Sequence, residues 1–150
     1  MARVYWIEDE AKLLKGTRQF LEDKVGLGGV VTLGTAFAGR KAIEQIQADH
    51  APIILDLWLP SGDPSLPSDQ QTGPEVGLRL LRELRTYLGK SWPIFIVSGN
   101  MTFPIKEDLI DKLGVPSEWI FAKALSEAES NELVRMVARA VGAPGGAPPD

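Results

Sequence analysis

The chain has 150 residues, no cysteine, 44% apolar and 24% charged side chains, the profile of one soluble globular domain long enough to bury a sizeable core. Without Cys there is no disulfide framework, no thiolate metal site and no cysteine nucleophile. Twenty acidic against 16 basic residues leave a net charge of -4, and no Lys/Arg cluster offers the phosphate contacts of a nucleic-acid surface. The longest charge-free runs, Val25 to Gly39 and Ser91 to Ile105, are 15 residues each and contain Gly, Thr, Ser, Asn or Pro, so neither spans a bilayer. The start MARVYWIEDE lacks the basic and apolar regions of a signal peptide. The expectation is a cytoplasmic protein with no membrane partner and no direct nucleic-acid partner.

Short apolar runs alternate with stretches of helical period. Val4 to Ile7 reads as a strand, Ala11 to Leu21 as a helix, Val30 to Phe37 as a strand and Gly39 to Gln47 as a helix. Pro52 to Leu57 is the third strand. It runs into SGDPSLPSDQQTGP, with three Pro, two Gly and three Ser in 14 residues, an unusually long loop placed at 61–76. Leu78 to Leu88, Pro93 to Val97, Lys106 to Leu113, Trp119 to Ala122 and Glu127 to Val141 complete five strands and five helices. Ser126 or Ser130 suits the cap of the last helix, and Gly114 and Gly142 suit helix C-termini. The tail GAPGGAPPD, residues 142–150, has six Gly or Pro in nine and reads as a disordered tail or linker stub after a domain over 1–141. Strand–helix alternation with strands apolar throughout predicts an α/β fold on a mainly parallel sheet.

Ligands of an open parallel sheet bind beyond the carboxyl ends of its strands. There the sequence places Glu8-Asp9-Glu10 after strand one, Asp56 in strand three, Ser98-Gly99-Asn100 after strand four and Lys123 after strand five. Asp56 lies inside Ile53-Ile54-Leu55-Asp56-Leu57-Trp58-Leu59-Pro60, where an unpaired charge is costly. Glu8 and Asp9 crowding it would raise carboxylate pKa values, and Mg2+ together with Lys123 would relieve the repulsion. Acids, metal, lysine and a hydroxyl form a set suited to phosphoryl transfer onto a carboxylate.

Each residue also has an ordinary structural reading. Asp56 could cap a turn, Glu8 and Asp9 could begin a helix, Ser98-Gly99 could be a plain turn, and Lys123 could be solvated. His50 is expected exposed in a loop, and Trp6, Trp58, Trp92 and Trp119 are expected as core or loop anchors. Gly26, Gly28 and Gly29 precede a strand and not a helix, which argues against a phosphate cradle.

Four motifs in this order, Ile7-Glu8-Asp9-Glu10, Leu55 to Pro60, Val97-Ser98-Gly99 and Phe121-Ala122-Lys123, resemble the receiver domain of two-component response regulators, from about Arg3 to Val141. The resemblance implies a flavodoxin-like, doubly wound, five-stranded parallel sheet in order 2-1-3-4-5. It implies Asp56 as phosphoacceptor, Ser98 and Lys123 as the groups that sense the phosphoryl, and Mg2+ held by Glu8, Asp9, Asp56 and the Trp58 backbone carbonyl. A histidine kinase or histidine phosphotransfer protein would be the donor, and a downstream protein or output domain the target. Trp58 and Asn100 would flank the path of a water attacking the phosphoaspartate, so a bulky Trp58 is expected to prolong the phosphoryl state.

Three departures stand out: Ala124 where the family has a cis-linked Pro, Ile120 at its switch aromatic with Trp119 adjacent, and the long loop. A receiver-like binding module that uses this loop and is never phosphorylated is the alternative. An aspartate-nucleophile phosphatase would need an acid at position 58. A flavin carrier would need a hydroxyl-rich loop where Glu8-Asp9-Glu10 stand.

Overall fold

The computed structural model describes residues 3–9, 15–26 and 28–141. Glu10, residues 11–14 of the first expected helix, and Gly142 with the rest of the tail lie outside the described residues. Five parallel strands, β1 Val4–Ile7, β2 Val30–Leu33, β3 Ile53–Leu55, β4 Ile94–Ser98 and β5 Ile120–Ala122, form one sheet in the order β2-β1-β3-β4-β5. This is the flavodoxin-like order expected above.

Side chains of a strand alternate between the sheet's faces, and here both faces are covered. Tyr5, Ile7, Ile53, Leu55, Ile94 and Ile96 pack on one side with Ile46, Leu80, Leu81, Leu84 and Leu109 from helices. Val4, Trp6, Ile54, Phe95 and Val97 pack on the other with Leu21, Leu133, Val134 and Val137. Each such burial stabilises by about 1.5–3 kcal/mol relative to exposure, which explains why these strands read as unbroken apolar runs. Trp6 and Trp92 are buried in the core, Trp119 is partly buried, and Trp58 is exposed.

The described helices number six, one more than expected: α1 Lys15–Val25, α2 Ala36–Lys41, α3 Ile43–Asp49, α4 Pro74–Leu88, α5 Phe103–Asp111 and α6 Glu127–Val141. The second expected helix is divided at Ala42, φ -87° and ψ -3°, whose N–H is shared among the carbonyls of Ala38, Gly39 and Arg40. The second strand ends at Leu33, short of Phe37. Thr35 turns the chain there, its Oγ1 accepting the Ala38 N–H at 3.0 Å as N-cap of α2.

Both α4 and α5 begin earlier than the apolar periodicity suggests, because a proline sits in the first turn of each, Pro74 and Pro104, where its missing N–H is harmless. The loop after β3 therefore ends at Gly73, not at position 76. Trp119 leaves the expected fifth strand for a 3-10 turn, Ser117–Trp119. Ser126, not Ser130, caps α6, in a reciprocal pair with Glu129. Ser130 is buried against Thr17 of α1, the two hydroxyls 2.8 Å apart. His50 is exposed as expected and adopts a left-handed conformation at the end of α3.

One glycine fixes how closely α4 meets β3. A Cβ on Gly77 would lie 2.3 Å from Leu57 Cα and 2.5 Å from its carbonyl oxygen, and the Gly77 N–H donates to that same carbonyl. Gly77→Ala should therefore destabilise the fold by about 3 kcal/mol or more in urea unfolding. Gly39→Ala, which meets only the side-chain ends of Ile7 and Leu80 at 3.0 Å, should cost about 1 kcal/mol or less.

Candidate functional site

In this strand order the chain reverses direction between β1 and β3, and the loops that leave their carboxyl ends diverge to open a crevice. Glu8 follows β1, Asp56 follows β3, Ser98 ends β4 and Lys123 follows β5. Asp56 has no exposed surface and is satisfied from three sides. Ser98 Oγ donates to Oδ1 at 2.7 Å, the Trp58 N–H donates to Oδ1 at 3.1 Å, and Lys123 Nζ lies 2.8 Å from Oδ2. The Ser98 hydroxyl also accepts the Leu57 N–H at 3.2 Å. Lys123 is held in turn through its own N–H, which donates to the Ser98 carbonyl. Its ammonium reaches Glu8 Oε1 at 2.6 Å, and Glu8 is as buried as Asp56.

Asp9 is exposed beside this cluster. One carboxylate oxygen each from Glu8, Asp9 and Asp56 lies within 4.8 Å of the others. Glu8 Oε2 is buried and receives no N–H or O–H donor among the described residues. Three hard oxygen donors with one unsatisfied atom fit a divalent cation such as Mg2+. Trp58, with 40% of its surface exposed, is the fourth expected contributor through its backbone.

The charges explain one another. Burial, and then the adjacent Asp56 carboxylate, push Glu8 up from 4.5 to about 8 against the opposing pull of Lys123. Burial also acts to raise Asp56, but its bonds with Glu8, Lys123 and Ser98 outweigh it and hold the carboxyl below its ordinary value. Lys123, which burial alone would lower, is raised by Asp56 and Glu8. Without metal, the two buried carboxyls are therefore pushed apart, Glu8 toward its protonated form and Asp56 toward its ionised form beside Lys123.

The sheet thus brings together Glu8, Asp9, Asp56, Ser98 and Lys123, with Trp58 beside them. The Lys123–Ala124 bond is trans, and Ala124 turns with φ +65°, a left-handed conformation that costs a residue with a Cβ about 1–2 kcal/mol. Ile120 is buried and pairs with Ile96 in the sheet. Trp119 instead packs on Phe95 with ring centroids 5.0 Å apart.

No protein-family model matches the sequence, and no curated protein is significantly similar to it. Solved structures do match. A CheY-like response-regulator receiver domain protein from Methanospirillum hungatei is 18% identical with a TM-score of 0.64, covering 90% of this chain and 91% of that one. The fold is that of the response-regulator receiver domains. The receiver domain of NtrX from Brucella abortus matches at 21% identity and TM-score 0.62, covering 92% of this chain and 97% of that one. A beryllofluoride-activated NtrC4 receiver-domain dimer matches at 20% and 0.63, covering 90% and 94%. Within this receiver fold the site lies at the sheet's carboxyl edge.

Gln71, which closes the long loop on itself, and Thr35, which caps α2 beside it, had no sequence signal. Nothing in the run Gln70-Gln71-Thr72 distinguishes the residue whose amide closes the loop from its exposed neighbour.

The raised Glu8 pKa has a definite sign. The folded protein keeps this proton up to about pH 8, whereas the unfolded chain releases it near 4.5. The associated stability is complete below pH 4.5 and is lost as pH rises through about 8. Asp56, with its lowered pKa, acts only at the acid end, below its ordinary 3.8. Metal-free protein should lose stability between pH 5 and pH 8.5, and Glu8→Gln should flatten that slope in urea unfolding at each pH.

Proposed function

We propose that this chain is a phosphorylation switch: Asp56 accepts a phosphoryl group from a phosphohistidine on a histidine kinase or phosphotransfer protein and signals by binding another protein. The observation that carries the reading is the double engagement of Asp56, with Ser98 Oγ on one carboxylate oxygen and Lys123 Nζ on the other, beside two further carboxylates. A buried aspartate needed only for folding would be satisfied by the hydroxyl and the lysine. It would gain nothing from Asp9, an exposed carboxylate brought to the same edge.

Asp56 stays ionised because Lys123 and Ser98 stabilise its anion, so a carboxylate oxygen is ready to attack phosphorus. The new O–P bond forms as the N–P bond to the donor imidazole breaks, and the departing nitrogen keeps the bonding pair and takes a proton from solvent. Mg2+, held by Glu8, Asp9, Asp56 and the Trp58 carbonyl, would neutralise phosphoryl oxygens and orient them for in-line transfer. Lys123, on a flexible stem, would move from Asp56 Oδ2 to a phosphoryl oxygen, and the Ser98 hydroxyl would follow. Ser98 ends β4 and Lys123 follows β5, so both movements pull on the loops leading into α5 and α6. A new dianion is thereby read out as a change of protein surface.

The test is Mg2+ with beryllofluoride or a small acylphosphate, followed by intact mass and Trp fluorescence. A saturable fluorescence change, or an added mass of about 80 Da from one phosphoryl group, should need both Mg2+ and Asp56 and vanish in Asp56→Asn. A response that persists in Asp56→Asn would assign the chemistry to another group.

Trp58 is the exposed side chain two positions after the acceptor, where its bulk would hinder the water that hydrolyses the acylphosphate. Trp58→Asn should shorten the lifetime of the phosphoryl state severalfold, measured as phosphate release. An unchanged rate would remove Trp58 from this role.

A further inference from the structure

The long segment between β3 and α4 is folded as a strap, and the Gln71 side chain makes two of the bonds that close it. Gln71 Nε2 donates to the carbonyls of Asp63 at 2.8 Å and Leu66 at 3.0 Å. The Gln71 carbonyl accepts the Ser61 N–H at 2.8 Å. Asp63 adds a smaller turn: its N–H donates to Ser61 Oγ, and its Oδ1 accepts both the N–H and the hydroxyl of Ser65. Residues 61–71 thus form a closed unit whose base, Ser61, is buried.

That base is shared with α2. The carbonyls of Pro60 and Ser61 accept the N–H groups of Ala36 and Phe37, first-turn donors that no carbonyl of their own helix can reach. Gly62, at φ +73°, passes so near Thr35 that a Cβ would come within 2.7 Å of it. The chain leaving Asp56 therefore runs through Trp58 between fixed points. Leu57 and Leu59 are buried in the core, Ser61 is held by the strap, and Trp58 is the exposed residue among them.

We propose that Gln71 is a positioning residue for the Asp56 site: its amide keeps the strap closed and so fixes the Trp58 backbone, whose N–H donates to Asp56. On the phosphoacceptor reading above, on which this part rests, the same backbone offers its carbonyl to the metal.

Gln71→Met keeps the side-chain length and removes both donors. Gln71→Asn keeps the amide but is too short to reach both carbonyls, and it stands in if the methionine variant does not fold. Amide hydrogen exchange in metal-free protein is the first readout, because it is independent of any phosphoryl chemistry. Exchange at Ser61, Ala36, Phe37 and Trp58 should rise about tenfold, the scale of one lost hydrogen bond, with β1 and β4 unchanged. Mg2+ affinity by calorimetry, well below the unfolding midpoint, should weaken about threefold or more, an effect that a purely structural role would not produce. Faster exchange at Ala36 and Phe37 with Trp58 and Mg2+ affinity unchanged would overturn the proposal, leaving the strap as a cap for α2 alone. A wild-type protein that binds no Mg2+ would overturn the phosphoacceptor reading instead, and the exchange rate at Trp58 would then judge the positioning role by itself.

Discussion

The contact between Lys123 Nζ and Asp56 Oδ2 joins β5 to β3 over the intervening β4, and the carboxyl edge of the sheet is arranged around it. A carboxylate with no exposed surface is tolerable only if every lone pair that faces protein has a donor. Here the donors come from three places: the ammonium of Lys123, the hydroxyl of Ser98, and the N–H of Trp58 two residues downstream. Each is delivered by the end of a strand or the turn beyond it, so the parallel sheet is the device that holds a charge in the interior. Glu8 is the exception to this economy. It is equally buried, yet one of its oxygens receives no donor among the described residues, and burial beside Asp56 favours its protonated form.

That arrangement links stability to chemistry. The feature that strains the metal-free site, two buried carboxylates sharing one lysine, is the feature a divalent cation would relieve. A cation held beside Asp9 would compete with the proton for the Glu8 carboxyl. The same logic makes Lys123 responsive, because its raised pKa comes from Asp56 and Glu8, and a phosphoryl group on Asp56 would offer it a stronger counter-charge. Ser98 shares in this, since its hydroxyl bridges Asp56 and the Leu57 N–H. Ser98 thereby links the Asp56 carboxylate to the backbone just beyond β3 and to the end of β4.

The strap after β3 belongs to the same mechanical system. Among the described residues its hydrogen bonds are internal except where Pro60 and Ser61 meet the start of α2, so it does not float above the sheet. It is docked on the corner where β2 turns into α2. Arg40 of α2 extends the connection by pairing with Glu83 of α4 through both of its carboxylate oxygens. The β3 exit, α2 and α4 thus share polar links as well as the apolar core.

The sequence by itself determined the sheet, because a strand buried on both faces must be apolar throughout, and the runs at Val4, Ile53 and Ile94 are. It also determined the chemical inventory of the site. A charge within Ile53 to Pro60 needs partners, and Glu8, Asp9, Ser98 and Lys123 each stand at the end of such a run. What the sequence left open was set by contacts between distant residues. Helix two divides at Ala42 and the second strand stops at Leu33, because local hydrogen bonds at Thr35 and Ala42 compete with the apolar pattern. The trans, left-handed turn at Ala124 depends on where β5 and Lys123 are held. Gln71 and Gln70 are the same residue type side by side, yet only Gln71 points its amide at the two carbonyls that close the strap. Periodicity records which residues face the core. It carries no record of which polar atoms meet across long loops, because those meetings depend on the tertiary path of the chain.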